Sequence, residues 1–345
     1  MPSDVALTIE DERIPLTVRQ ALGAAAVPAM QMLCGANGER RQRAARRDHT
    51  HEKNSFLGTL FLDGGGDSEA VIGDIANTSG GDATVAICSH ASPTPIGTGN
   101  RLRQTFIKAG IKAQNIAIVI GEEQDKLPED KPPHVEHDAT RLDDARYVNK
   151  VPEDATVLFF SGGDQERLMR QFKESDAVRD FLGRGGIVGG TSAGEMIAGD
   201  LMIAGGMRDG ILRRNELKIA QGMGLMHGAF FESHAGQRER GDSRALAALA
   251  LRNEMKIGFV VDERTYLRIH NGAAVVGGEN NVKVVTRGRH FSSNLANDDG
   301  RPPYVSGGSI SNYRAGNEIK IPNWARMDGK RLDKKNWEIP TRFKD

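Results

Sequence analysis

Cysteine is nearly absent: Cys34 and Cys88 are the only two in 345 residues. That excludes a disulfide framework, and the pair offers no metal-ligand spacing. Aromatic residues make up 5% of the chain, and there are two tryptophans. The apolar run from Ala21 to Leu33 is interrupted by Pro28 and is too short to span a bilayer. Net charge is absent as well, because 46 basic residues offset 46 acidic ones. Nothing global therefore points to nucleic acid or to a membrane surface. No internal repeat is visible. What the chain has in quantity is glycine, 41 residues, many of them in adjacent pairs such as Gly162-Gly163 and Gly189-Gly190. Such pairs at the ends of apolar runs suit an enzyme whose backbone comes close to a ligand.

Composition divides the chain into three stretches. Residues 1–55 form an N-terminal extension, with acids at Asp4, Glu10, Asp11 and Glu12 and a cluster at Arg40, Arg41, Arg43, Arg46 and Arg47. The arginines read as a solvated linker. The Ala21–Leu33 run is the core of an alternative reading as an export signal, but the acidic leader argues against it. A cytoplasmic location is the expectation. Residues 56–290 read as the catalytic domain. Residues 291–345 read as a polar, glycine-rich C-terminal extension, with Trp324 and Trp337 as anchors.

Within the central stretch, apolar strands alternate with helical segments. Strands are expected at Gly58–Asp63, Ala83–Cys88, Ile116–Ile120, Thr156–Phe160 and Gly185–Gly190. Helices are expected from Asn100 to Ala109, Asp143 to Val151, Glu166 to Leu182 and Ser243 to Asn253. Alternation of this kind predicts a parallel sheet with helices on both faces. Its site lies beyond the carboxyl ends of the strands. Ile257–Glu263 reads as a further strand ending in acid. Tyr266–Ile269, Ala273–Val276 and Val282–Thr286 read as antiparallel strands at the sheet edge.

The centre of the chain is Gly190-Thr191-Ser192-Ala193-Gly194, a G-x-S-x-G sequence between an apolar strand and a helix. A serine nucleophile needs a sharp bend so that its hydroxyl stands clear of the backbone. Flanking glycines let strand and helix approach closely. The blander reading is a glycine turn that binds phosphate or nothing. A serine also needs a base and an acid to orient that base. His234 ends the apolar run Ala229–Ser233, and Asp262 and Glu263 end the next strand. If those strand ends share one sheet rim, Ser192, His234 and an acid converge. No metal-binding cluster appears, so neither metal nor cofactor is expected.

These motifs carry a resemblance. Ser161-Gly162-Gly163-Asp164-Gln165, Gly189–Gly194, His234 followed by Arg238 and Arg240, and Gly258–Glu263 occur in the order seen in the cyanophycinase and aspartyl dipeptidase family of serine peptidases. The resemblance covers roughly Leu60 to Thr286. It implies a three-layer α/β/α sandwich with a mostly parallel sheet, related to class I glutamine amidotransferases. It implies Ser192 as nucleophile, His234 as base and Glu263 as orienting acid, with Asp262 the alternative acid. It further implies an oxyanion hole from the N–H groups of Gly163 or Asp164 and of Ala193. Gln165 would contact substrate, and Arg238, Arg240 and Arg244 would bind its carboxylates. The substrate would be an aspartyl-linked peptide, including the β-aspartyl-arginine links of cyanophycin; a homodimer is left open. Departures from the family pattern fall around the base, at Glu232, Ser233 and Ala235, and Arg244 is one residue late. Two alternatives remain: an α/β-hydrolase-type esterase using Ser192, Asp262 and His270, and a non-catalytic relative that binds a peptide.

Overall fold

The computed structural model describes residues 58–120, 141–172, 175–207, 211–236, 240–296 and 300–322. The N-terminal extension with its export-signal alternative, Cys34, Arg238, Trp324 and Trp337 lie outside the described residues.

Six parallel strands form the backbone of the molecule: β1 (Thr59–Asp63), β2 (Val85–Cys88), β3 (Ile116–Val119), β4 (Arg146–Val148), β5 (Val157–Phe160) and β6 (Ile187–Thr191). They lie in the order β1-β6-β5-β2-β3-β4. Every residue of β1, β2, β3, β5 and β6 is buried. A sheet covered on both faces requires such unbroken apolar runs. The pleat divides them between two cores. Phe61, Ile87 and Phe159 pack with Ile72 and Ile75 of α1 (Glu69–Ser79) and Phe106 of α2 (Pro95–Lys108). Leu60, Leu62, Leu158 and Phe160 pack with Leu168 of α3 (Gln165–Gln171) and Val178 and Leu182 of α4 (Ser175–Gly183). Each fully buried side chain of this size contributes about 1.5–3 kcal/mol relative to exposure.

After β6 come the short α5 (Ala193–Met196) and a two-stranded sheet of β7 (Leu201–Gly205) and β8 (Lys218–Gln221). A second sheet follows, built from β9 (Ala229–Ala235), β10 (Ile257–Asp262), β13 (Asn281–Ser293) and β14 (Val305–Arg314), with α6 (Asp242–Leu251) against it. β11 (Thr265–His270), β12 (Ala273–Gly278) and β15 (Glu318–Lys320) extend the first sheet beyond β1 in antiparallel fashion, giving nine strands in all.

Several elements differ from the sequence expectation. β10 does not join the parallel sheet. Its parallel partner is β9, and the two make a sheet of their own with β13. Only β11 and β12 of the three expected edge strands border the large sheet. α2 begins at Pro95, ahead of Asn100, because proline is well placed where a helix has no use for an N–H. The expected helix over 166–182 is two helices. Phe172 leaves helical geometry and sets its ring edge-on to Phe160 at 5.0 Å. Residues 146–148 form a strand rather than part of a helix, since the outer edge of β3 offers a ladder to Arg146, Tyr147 and Val148. The boundary expected at residue 290 falls inside β13, and residues beyond it supply β14 and β15.

Candidate active site

The end of β1 is the hub. Asp63 accepts the Ser192 N–H through its main-chain oxygen at 2.8 Å, and the Gly64 carbonyl accepts the His234 N–H at 2.9 Å. The Gly65 carbonyl accepts the N–H of Arg264, next to Glu263, at 2.8 Å. One three-residue turn thus fixes three distant segments. Its last residue has no room for a side chain: a Cβ at Gly65 would lie 2.4 Å from Cε1 of His234. Gly65 also has φ +97°, in the region that favours glycine.

Ser192 sits between β6 and α5 with φ 51° and ψ −110°. A side chain in this region costs on the order of 1–3 kcal/mol and persists only where its surroundings enforce it. Here the enforcement is visible. The Asp63 carbonyl holds the serine N–H, and the Ser192 carbonyl accepts from Glu195 and Met196, both at 3.0 Å. Gly190 presses against the Gly194 carbonyl, where a Cβ would be 2.2 Å away. His234 is also strained, with φ 57° at the end of β9.

Ser192 Oγ lies 2.8 Å from Nε2 of His234, and Nδ1 of His234 lies 2.6 Å from Oε1 of Glu263. His234 is buried, while Ser192 and Glu263 are half-buried. The serine hydroxyl is thus reached from one side and paired on the other. Glu263 is held by Asn280, whose Nδ2 donates to the Glu263 carbonyl at 2.9 Å. Asp262 faces a different partner: its Oδ2 accepts the Asn281 N–H at 3.1 Å. Burial raises the Asp262 carboxyl above the usual range, against the pull of that hydrogen bond. His270 stands at the far end of β1, with Nδ1 3.1 Å from the Gly58 carbonyl and 3.2 Å from Thr59 Oγ1.

The loop after β5 passes close by, with Gly162 near Ser192: a Cβ there would lie 3.3 Å from Cβ of the serine. Gly163 has φ +140°, and a Cβ would collide with the Ala91 carbonyl at 2.2 Å. The Asp164 N–H is committed to that carbonyl at 2.9 Å, and its side chain caps α3 by accepting from Arg167 N at 2.8 Å. Gln165 donates from Nε2 to the carbonyls of Ile203 and Ala204 at 3.0 and 3.2 Å. Arg240 is half-buried. Arg244 is 3% exposed, and its Nη1 lies 3.0 Å from Oε1 of the wholly buried Glu232.

Behind the serine lies a group of buried acids that sequence reasoning did not single out as functional. Asp63 is pushed up to about 7 by burial, against hydrogen bonds from Thr191, Ser68 and Gly65. Glu232 is likewise raised to about 7 by burial, although Arg244 and Arg240 oppose the shift. Glu195 is raised furthest, by complete burial first and then by Asp63 and Glu232. A lone glutamate at a helix start reads as an exposed acid; no local signal betrays its burial. Among the described residues no group of three or more His, Cys, Asp or Glu could hold a metal ion, and no helix is long and apolar enough to cross a membrane.

The model of peptidase family S51 matches residues 132–277. The cyanophycinase of Geminocystis herdmanii is 30% identical over 214 residues, covering 61% of this chain and 68% of that protein. The chain belongs to peptidase family S51. The cyanophycinase of Synechococcus elongatus is 26% identical over 275 residues, covering 77% of this chain and 78% of the other. A peptidase from an acI-B1 actinobacterium superposes with a TM-score of 0.49 at 17% identity, over 79% of this chain and 100% of that one. In this S51 peptidase the matched span holds Ser192, His234 and Glu263 together.

The hub makes a prediction for the S51 chain. Gly65→Ala must push the His234 ring away from Ser192. A displacement of about 1 Å at a reacting pair costs on the order of 100-fold in rate. Peptidase activity measured beside a melting curve checks this. A folded variant with wild-type turnover would show that the imidazole position does not depend on the turn.

Proposed function

We propose that the chain is a serine peptidase in which Ser192 attacks, His234 takes its proton and Glu263 orients His234. The observation that carries this reading is the run of two short contacts, 2.8 Å from Ser192 to His234 and 2.6 Å from His234 to Glu263, at a strained bend. In the first step Ser192 Oγ adds to the scissile carbonyl while its proton passes to Nε2. The carbonyl oxygen becomes an oxyanion, which the N–H groups of Gly163 and Ala193 receive. Asp164 is the weaker candidate because its N–H already serves Ala91. The tetrahedral adduct collapses, Nε2–H protonates the leaving amine, and an acyl-enzyme remains for water to cleave. Two backbone donors placed where charge develops are worth about 10²–10³-fold each.

The substrate in this reading carries an aspartyl residue at the cleaved bond, with the β-aspartyl-arginine links of cyanophycin as the leading example, after the relatives' printed name. Arg240, and Arg238 beyond the described residues, are the proposed partners for its carboxylate. Arg244 is a poorer candidate, since Glu232 already neutralises it. The architecture is taken as the three-layer sandwich of class I glutamine amidotransferases. An α/β-hydrolase-type esterase would need His270, which sits with Gly58 and Thr59.

Incubation with α-aspartyl peptides, β-aspartyl peptides and cyanophycin, followed by mass spectrometry of the products, tests the proposal. Release of β-aspartyl-arginine, or cleavage beside aspartate, is the expected result. Absence of cleavage across the panel sinks the substrate assignment.

A further inference from the structure

Three residues hold the backbone of Ser192, and two of them, Asp63 and Glu195, carry buried acids. Asp63 accepts the serine N–H, and Glu195 donates its own N–H to the serine carbonyl. Asp63 is 1% exposed, and Ser68 Oγ donates to its Oδ2 at 3.0 Å. Glu195 is wholly buried, and neither carboxyl oxygen has a hydrogen-bond partner among the described residues. A bare carboxylate without donors is far costlier to bury than a neutral acid.

The surroundings offer Glu195 no relief. On β1 the titratable neighbour is Asp63, and on β9 it is Glu232, with His234 two residues further along the same strand. The Arg244 guanidinium of α6 is taken up by Glu232 at 3.0 Å, and Arg240 acts on that same acid. β5 and β6 contain no titratable residue. α3 shares a core cluster with α5 through Leu168 and Ala193; its Glu166 and Arg170 are exposed and Arg167 is half-buried. α5 itself has only four residues, so any shift in it moves the serine.

We propose that Glu195 is a positioning residue whose neutral side chain keeps the Ser192 bend closed, and that its ionisation sets the upper pH limit of the site. This rests on Ser192 being the nucleophile. The sign follows from the buried acid. A carboxyl that binds its proton more tightly folded than unfolded favours the folded state most at low pH. That advantage fades as pH rises from the unfolded carboxyl range to the folded value. Asp63 and Glu232, both raised to about 7, act in the same direction. Replacing Glu195 alone separates its share from theirs.

The test measures fluorophosphonate labelling of Ser192 and thermal unfolding against pH, in the wild-type protein and in Glu195→Gln. Across the alkaline range the wild type should lose at least about fivefold in labelling rate and the variant less than about twofold. The wild-type melting temperature should fall over that range more steeply than the variant's. Equal alkaline limbs in the two proteins overturn the role of Glu195 and leave the nucleophile standing. Absence of label on Ser192 at every pH overturns both. Should Glu195→Gln not fold, carbon-13 carboxyl NMR of the wild type decides: one glutamate must remain protonated at neutral pH and titrate where labelling declines. A spectrum with every glutamate already ionised at neutral pH overturns the proposal.

Discussion

Ser192→Ala should lose turnover by roughly 10⁴–10⁶-fold and lose all fluorophosphonate labelling, with its fold intact. The magnitude is that of removing the nucleophile from a serine triad, after which binding and oxyanion donors alone remain. The structure explains why stability should survive. The Ser192 side chain makes one hydrogen bond, to His234, whereas the bend itself is held by main-chain bonds to Asp63, Glu195 and Met196. Alanine keeps all of those. Measurement of kcat on a cleaved peptide, intact-mass detection of the probe adduct and a melting curve form the check. Labelling that persists in the variant would place the nucleophile elsewhere.

Glu263→Gln should cost about 10⁴-fold in kcat, because an amide can hold the imidazole in the wrong tautomer and cannot stabilise its charged form. Asp262→Asn should cost less than about tenfold. Asp262 ends β10 and Glu263 follows it, yet they serve different partners: Glu263 Oε1 is 2.6 Å from His234, and Asp262 Oδ2 accepts from Asn281. Comparing the two variants on one peptide separates them. If Asp262→Asn were the more damaging, the orienting role would pass to Asp262.

Some of this was legible before any coordinates. The bend at Ser192 was, because G-x-S-x-G states a backbone requirement in adjacent residues. The contacts at Gly190 and the φ of 51° at Ser192 express that same requirement in space. His234 was legible near the end of an apolar strand, whereas Glu263, read as a strand end, stands in the turn one residue beyond β10. The separation of β9 and β10 into their own sheet was not. Phe230-Phe231 and Phe259-Val260-Val261 are buried apolar runs of the kind that any covered sheet contains, and nothing in such a run names its neighbour. α1 was missed because Gly73 and Thr78 dilute its helical character, while its burial of Ile72 and Ile75 depends on a distant sheet. The same holds for the Gly64-Gly65-Gly66 turn. It was visible as a glycine loop, but its partners at His234 and Arg264 lie more than a hundred residues away.

Ser192 follows a strand of one sheet, His234 lies on a strand of another, and Glu263 stands in the turn between the two sheets' β10 and β11. The contacts among the three side chains therefore depend on the two sheets keeping their places, which the main-chain bonds from His234 and Arg264 to the β1 turn enforce. Loosening that junction should part the three side chains before either sheet loses its ladder. Activity should in this sense report a loosened junction before a spectroscopic signal from the strands does.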